Sequence, residues 1–281
     1  MTAAAIRVRG LRKCYRDVVA IHGLDLDIVT GEVFALLGPN GAGKSTTVEI
    51  LEGYRVRDTG EVSVLGADPA RAGRVWRTRI GIVPQFSKDS PDSTVREIVR
   101  HFAGFYPRPR DPEAVIEEAG LSEKADTRLR ALSGGQRRRV DVALGIVGRP
   151  ELVFLDEPTT GFDPEARRQF WTLVRGLSSD GTTIMLTTHY LDEAEALADR
   201  VGVIARGRLQ AVDAPSSLGG RDRMTARVAW TGPEGPRGVE TDTPTQTVAE
   251  LAARFGGEIP GLTVTRPSLE DAYLKLIGDA P

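Results

Sequence analysis

Residues 38–46 read Gly38-Pro39-Asn40-Gly41-Ala42-Gly43-Lys44-Ser45-Thr46 and follow directly on the apolar run Val33-Phe34-Ala35-Leu36-Leu37. A strand, a glycine-rich loop ending in Lys-Ser, and a helix beyond it is the context that the pattern G-x-x-x-x-G-K-[ST] requires. The glycines let the backbone curl so that successive N–H groups point at one anion. The helix start adds partial positive charge. Lys44 supplies a full charge for β- and γ-phosphates, and the Ser45 hydroxyl is placed to ligate Mg²⁺. The loop predicts a nucleotide-binding α/β core; alone it does not say which reaction.

The rest of the chain fits such a core. Leu152-Val153-Phe154-Leu155, Thr183-Ile184-Met185-Leu186-Thr187 and Val201-Gly202-Val203-Ile204 are further continuous apolar runs, separated by helical patterns. Runs of this kind predict a parallel sheet covered on both faces. Leu155 leads into Asp156-Glu157. An acid at the C-terminal end of a parallel strand lies at the same sheet edge as the phosphate loop. There Asp156 suits Mg²⁺, through water, and Glu157 suits orienting or deprotonating an attacking water. Asp163-Pro164-Glu165 opens a helix with Ala166, Phe170, Val174 and Leu177 on one face.

Between about Phe86 and Arg149 no strong strand run occurs, which predicts an inserted helical subdomain with helices over Thr94–Phe105, Asp111–Ala119 and Ser133–Val147. After Pro215 the composition shifts. Ser216–Gly220 reads as a linker and Thr231–Pro236 as a loop. Strands over Ala226–Trp230 and Leu262–Thr265 and helices over Val248–Phe255 and Leu269–Ile277 are expected around them. The division expected is a nucleotide-binding domain over 1–218 and a small α+β accessory region over 219–281.

Composition narrows the function. A net charge of -2 lacks the basic excess of a nucleic-acid binder, so no nucleic-acid partner is expected. One cysteine, Cys14, allows neither an internal disulfide nor a cysteine-based zinc site, and fits a reducing cytoplasm. No signal peptide is evident, and no apolar run approaches the roughly 18 residues of a membrane span. Work at a membrane would go through a partner.

Leu132-Ser133-Gly134-Gly135-Gln136 is a second helix start suited to an anion, with Ser133 as its cap. One phosphate loop needs no second such site, so the economical reading is that this one meets ATP held by another copy. LSGGQ between GPNGAGKST and LVFLDEP resembles the ABC ATPase family, over about Ile6 to Leu218. The resemblance implies a P-loop NTPase core with an N-terminal antiparallel β portion, and ATP as the nucleotide. It implies that Tyr15 stacks on adenine, Gln85 senses Mg²⁺ and signals to a membrane subunit, Asp163 crosses a dimer interface, and His189 contacts the γ-phosphate. Asp163 also fits a plain helix cap. Phe162 departs from the smaller aliphatic residue common in the family, and altered packing rather than lost activity is expected. Arg137-Arg138-Arg139 reads as a partly solvated helix face in preference to a nucleic-acid site, with electrostatic support for bound triphosphate as a milder functional reading.

The tract Thr187-Thr188-His189-Tyr190-Leu191-Asp192-Glu193-Ala194-Glu195 and the tail Arg266-Pro267-Ser268-Leu269-Glu270-Asp271-Ala272-Tyr273 resemble ATPases of drug, lipid or polysaccharide exporters. The implied partners are integral membrane permease subunits and a second nucleotide-binding subunit, a homodimer, peripheral on the inner face of the cell membrane. The polar loop Phe86 to Pro91 lies where the family docks its membrane subunit. The alternatives are an importer ATPase, a soluble ABC ATPase acting on ribosomes or DNA, and a non-catalytic nucleotide-binding regulator. One motif set, no heptad tract and one cysteine argue against the second; intact Lys44, Asp156, Glu157 and His189 argue against the third.

Overall fold

The structure, a computed structural model, describes residues 4–84 and 92–278; Gln85 and the loop Phe86 to Pro91 lie outside the described residues. Strands β1 (Ala4–Tyr15) and β2 (Val18–Val29) form an antiparallel hairpin. β3 (Val33–Leu37) leads through the glycine-rich loop into helix α1 (Lys44–Leu51). β4 (Thr59–Val64) returns to β1, giving an antiparallel sheet in the order β2-β1-β4. The short α2 (Arg74–Arg77) precedes β5 (Ile80–Val83). The helices α3 (Val95–Ala103), α4 (Pro112–Glu118) and α5 (Gly134–Ile146) follow.

Next come β6 (Leu152–Asp156), α6 (Pro164–Ser179), β7 (Thr183–Thr188), α7 (Leu191–Leu197), β8 (Arg200–Ala205) and β9 (Arg208–Asp213). The main sheet runs β5-β6-β7-β3-β8-β9, parallel except for the β8–β9 hairpin at one edge.

Both faces of this sheet are covered, which is why its inner strands read as unbroken apolar runs. Phe34, Leu36, Phe154 and Met185 pack toward α1 and the antiparallel sheet. The alternate residues Val33, Ala35, Leu37, Val153, Leu155, Ile184 and Leu186 pack toward the helices. The period of two in the pleat thus sorts one run into two cores.

The helices begin where their caps dictate. Thr94 with Glu97 and Ser133 with Gln136 form reciprocal capping boxes at α3 and α5. Asp111 and Asp163 cap α4 and α6, each followed by proline in the first turn.

The tail differs in part from expectation. β10 (Ala226–Gly232) and β11 (Gly235–Thr241) form a hairpin across residues expected as a loop. Gly235 and Pro236 belong to the expected loop, but among the described residues β11 is an edge strand pairing with β10, and an edge tolerates proline. α8 (Pro244–Phe255) covers this sheet through Leu251, which packs with Val228 and Ile259. β12 (Thr263–Thr265) pairs on the other side of β10. The last helix, α9 (Leu269–Gly278), packs instead on the large core: Leu269 is buried in it beside Leu218, with Tyr273, Leu276 and Ile277 against it. The expected linker Ser216–Gly220 therefore runs into a 3₁₀ turn (Leu218–Arg223) whose Gly219 lies close to Ala272 and Leu276.

Candidate active site

β3, β6 and β7 are neighbours in the sheet, in register with Leu37 opposite Thr188 and Asp156 opposite Thr187. Their C-terminal ends carry, respectively, the phosphate loop, Asp156-Glu157 and His189, so three separate stretches of sequence meet at one edge.

The loop is built for close packing against its own scaffold. A Cβ on Gly38 would stand 2.3 Å from the carbonyl oxygen of Ile204. Gly43 has φ 106° and passes so near the Ala20 carbonyl that a Cβ would lie 2.8 Å from it. α1 starts at Gly43 with no side-chain cap and no acid in its first turn, so its leading N–H groups are left for an anion. Gly41, Ser45 and Thr46 line a cavity of ≈ 380 Å³ together with Pro39, Asn40, Lys44 and Glu157. Ala42 is buried beneath it.

Lys44 is 6% exposed, and its Nζ donates to the carbonyl of Gly38 at 2.7 Å and stands 4.0 Å from Glu157 Oε1. Burial pulls this ammonium below its ordinary pKa, while the charges of Glu157 and Asp156 act the other way. Glu157 has φ 44°, a backbone conformation that costs a non-glycine residue about 1–2 kcal/mol. Two bonds hold its peptide there: its N–H donates to the carbonyl oxygen and to the Oγ1 of Thr187, both at 3.1 Å. Thr187 Oγ1 in turn donates to Asp156 Oδ1 at 2.5 Å. His189 Nδ1 lies 3.5 Å from Glu157 Oε2, and its ring rests on Tyr190. Lys44 Nζ, the Glu157 carboxylate and the His189 ring thus stand in one row at this sheet edge.

The other expected site residues lie elsewhere. Ser133 and Gly134 are exposed at the start of α5, and none of Ser133, Gly134, Gly135 and Gln136 lines the cavity. Ser133 Oγ accepts from the N–H of Gln136 at 3.2 Å, and Gln136 Oε1 accepts from the N–H of Ser133 at 3.1 Å. Asp163 Oδ1 accepts from the N–H groups of Glu165 and Ala166, so this carboxylate is a helix cap in the single chain. Phe162 is buried edge-on against Phe170. Tyr15 ends β1, with the Arg55 guanidinium 5.1 Å and the Lys13 ammonium 5.5 Å from its ring centre, and it does not line the cavity.

One residue of the arginine run departs from the solvated face expected of it, and one buried acid carries no expectation of burial. Arg138 is 7% exposed rather than part of a solvated face, and its guanidinium donates to the carbonyls of Asp156, Pro158 and Pro84. The available signal was Asp141 three residues on, which places an acid on the same face. Glu193, on α7, is fully buried; burial pushes its carboxyl pKa up, opposed by nearby Thr188, Thr159 and Trp171. Nothing in its local sequence marks it as buried.

Comparison with known proteins gives the family and the fold. Residues 21–160 match the model of the family described as ABC transporter. A "Nod factor export ATP-binding protein I" of Paraburkholderia xenovorans is 43% identical over 224 residues, 78% of this chain and 73% of that protein. Its namesake in Burkholderia orbicola is 37% identical over 301 residues, covering 99% and 98%. A solved ATP-binding subunit of an ABC transporter superposes with a TM-score of 0.72 at 22% identity, over 97% of this chain and 99% of that one. A dimeric bacterial ABC transporter cassette gives 0.67 at 24% identity, over 74% and 98%. With its phosphate loop, strand-end acids and histidine on one sheet edge, the chain belongs to the ABC transporter family, as an ATP-binding, ATP-hydrolysing subunit.

Proposed function

We infer that this chain is the ATP-driven motor of an exporter, working beneath separate integral membrane permease subunits at the inner face of the cell membrane. The observation that carries the reading is the joining of Lys44, Glu157 and His189 at 4.0 and 3.5 Å while Ser133–Gln136 stands outside the same cavity. The first three make half of a hydrolytic site; the exposed helix start is suited to closing the other half from a second copy. The export direction rests on the export ATPases among its relatives and on the 187–195 and 266–273 tracts.

In this reading the N–H groups of Gly38–Thr46 and the Lys44 ammonium hold the triphosphate. Glu157 orients and deprotonates the attacking water, and His189 donates to the γ-phosphate as negative charge develops. Tyr15 stacks on adenine. Ser133, Gly134, Gly135 and Gln136 of one copy close on the ATP of the other, with Asp163 at the interface. Closure follows ATP binding because ATP touches both faces only in the closed pair.

The site suits Mg²⁺ as a hard cation: Ser45 and Asp156 offer oxygen donors, and no cluster of three acidic, histidine or cysteine ligands occurs among the described residues. Such a donor set fits an ion held mainly by phosphates and water, with Gln85 as a further oxygen donor; when bound it neutralises phosphate charge. No helix among the described residues is long and apolar enough to cross a membrane, in keeping with separate permease subunits. Residues 1–218 form the motor, and 219–281 an accessory region tied to it through α9.

The test is a pull-down from solubilised native membranes with tagged Glu157→Gln and ATP. Copurification of a multi-span protein, lost with Lys44→Ala, is expected. Copurification of ribosomes or DNA-repair proteins instead would overturn the transporter assignment and leave the ATPase chemistry.

A further inference from the structure

Glu157 is held at φ 44°, and the carbonyls of the residues before and after it are both gripped by one side chain. Arg138 Nη2 donates to the carbonyl of Asp156 at 2.6 Å, and Arg138 Nε donates to the carbonyl of Pro158 at 3.1 Å. The remaining nitrogen, Nη1, donates to the carbonyl of Pro84, just beyond β5. Asp141 Oδ2 stands 3.7 Å from Nη1, and both side chains are less than a tenth exposed.

Three features make this more than packing. The carbonyls bracket a residue with φ 44°, whose carboxylate position depends on how that peptide is turned. A planar guanidinium fixes directions as well as distances, which an ammonium cannot do. Arg138 also sits two residues beyond Gln136, on the first turns of the helix that begins with the exposed Ser133-Gly134-Gly135. The lever between the signature and the strand-end acid is therefore one side chain long.

The geometry points to Arg138 as a positioning residue for Glu157: it holds the strained 156–158 backbone in the orientation that aims the carboxylate and ties that orientation to the signature helix. This rests on Glu157 being the residue that activates water.

The test measures steady-state ATPase, ATP affinity and thermal unfolding for Arg138→Met and Arg138→Lys, alone and in the Glu157→Gln background, at a temperature where every variant is folded. Misplacing a reacting group by ~1 Å costs about 10²-fold. Arg138→Met is accordingly expected to lower kcat by ten- to a hundred-fold per folded molecule, with ATP affinity held within about threefold because the phosphate loop is untouched. In the Glu157→Gln background the same substitution should change the residual rate less than about twofold, since nothing remains to be aimed. Arg138→Lys, which keeps charge but has one nitrogen, should lose less than Arg138→Met yet more than threefold; it also serves if Arg138→Met does not fold. The inference is overturned if kcat per folded molecule is unchanged, if ATP affinity falls in parallel with kcat, or if the loss is equal in both backgrounds. Wild-type turnover by Glu157→Gln itself would sink the assignment of Glu157, and this inference with it.

Discussion

Lys44 Nζ and Glu157 Oε1 stand 4.0 Å apart across the end of the sheet, so the cation proposed to hold the phosphates and the carboxylate proposed to activate water lie side by side. They come from residues more than a hundred positions apart, on β3's loop and β6's end, brought together because β7 alone separates those strands. The pairing lets the two roles be separated by mutation.

Glu157→Gln keeps size and hydrogen bonding but removes the base. We expect ATP affinity within a few-fold of wild type and kcat lowered by about 10²–10⁴-fold, the range of a lost general base. Lys44→Ala should instead lose ATP binding itself. Equilibrium nucleotide binding beside steady-state phosphate release checks both.

His189 Nδ1 lies 3.5 Å from Glu157 Oε2, while Lys44 Nζ faces Oε1. His189→Ala is expected to lower kcat by about 10²-fold, the size of one lost charge-stabilising donor, with ATP affinity little changed. An equal loss of affinity and kcat would place the histidine in binding rather than in turnover.

Asp163 separates cap from interface. Asp163→Ala removes the acceptor for Glu165 and Ala166 and should cost about 1 kcal/mol of stability. Asp163→Asn keeps an acceptor oxygen and should stay within about 0.5 kcal/mol. Both should weaken ATP-driven association if Asp163 crosses the interface. Denaturant unfolding and mass in solution, measured on the two variants, distinguish the roles.

Glu52 carries a prediction in pH. Burial, with Asp156 and Glu49 nearby, pushes its carboxyl up to about 8. The folded protein therefore holds a proton that the unfolded chain releases at the ordinary value near 4.5. The stability this confers is fully present below about 4.5 and is lost as pH rises through about 8. Glu52→Gln mimics the protonated form, so in EDTA without nucleotide it should match wild type at the acid end and be more stable at pH 8, by on the order of 4 kcal/mol. Equal stability at pH 8 would contradict the burial argument.

The site was legible in the sequence wherever local chemistry sufficed. The phosphate loop's glycines, the acids ending an apolar run and the Ser-x-x-Gln cap each carry their own signal, and in the structure Lys44, Glu157 and His189 stand in one row, spaced by 4.0 and 3.5 Å. Arg138 was misread because burial of an arginine depends on carbonyls some 20 and 54 positions away, which no helical period reveals. β11 was missed because its glycines and proline argue locally for a loop, while the ladder with β10 supplies the pairing. Glu193, on α7, is buried through tertiary packing alone.

In the proposed closed pair each ATP is shared between Lys44's loop on one copy and Ser133's helix start on another. The direct measurement is the mass in solution, by light scattering, of Glu157→Gln with and without ATP, repeated with Ser133→Arg added. The mass should double with ATP, and the doubling should be lost with Ser133→Arg while ATP binding to the monomer persists. A Glu157→Gln protein that stays monomeric with ATP bound, or a Ser133→Arg double variant that still pairs, would contradict it.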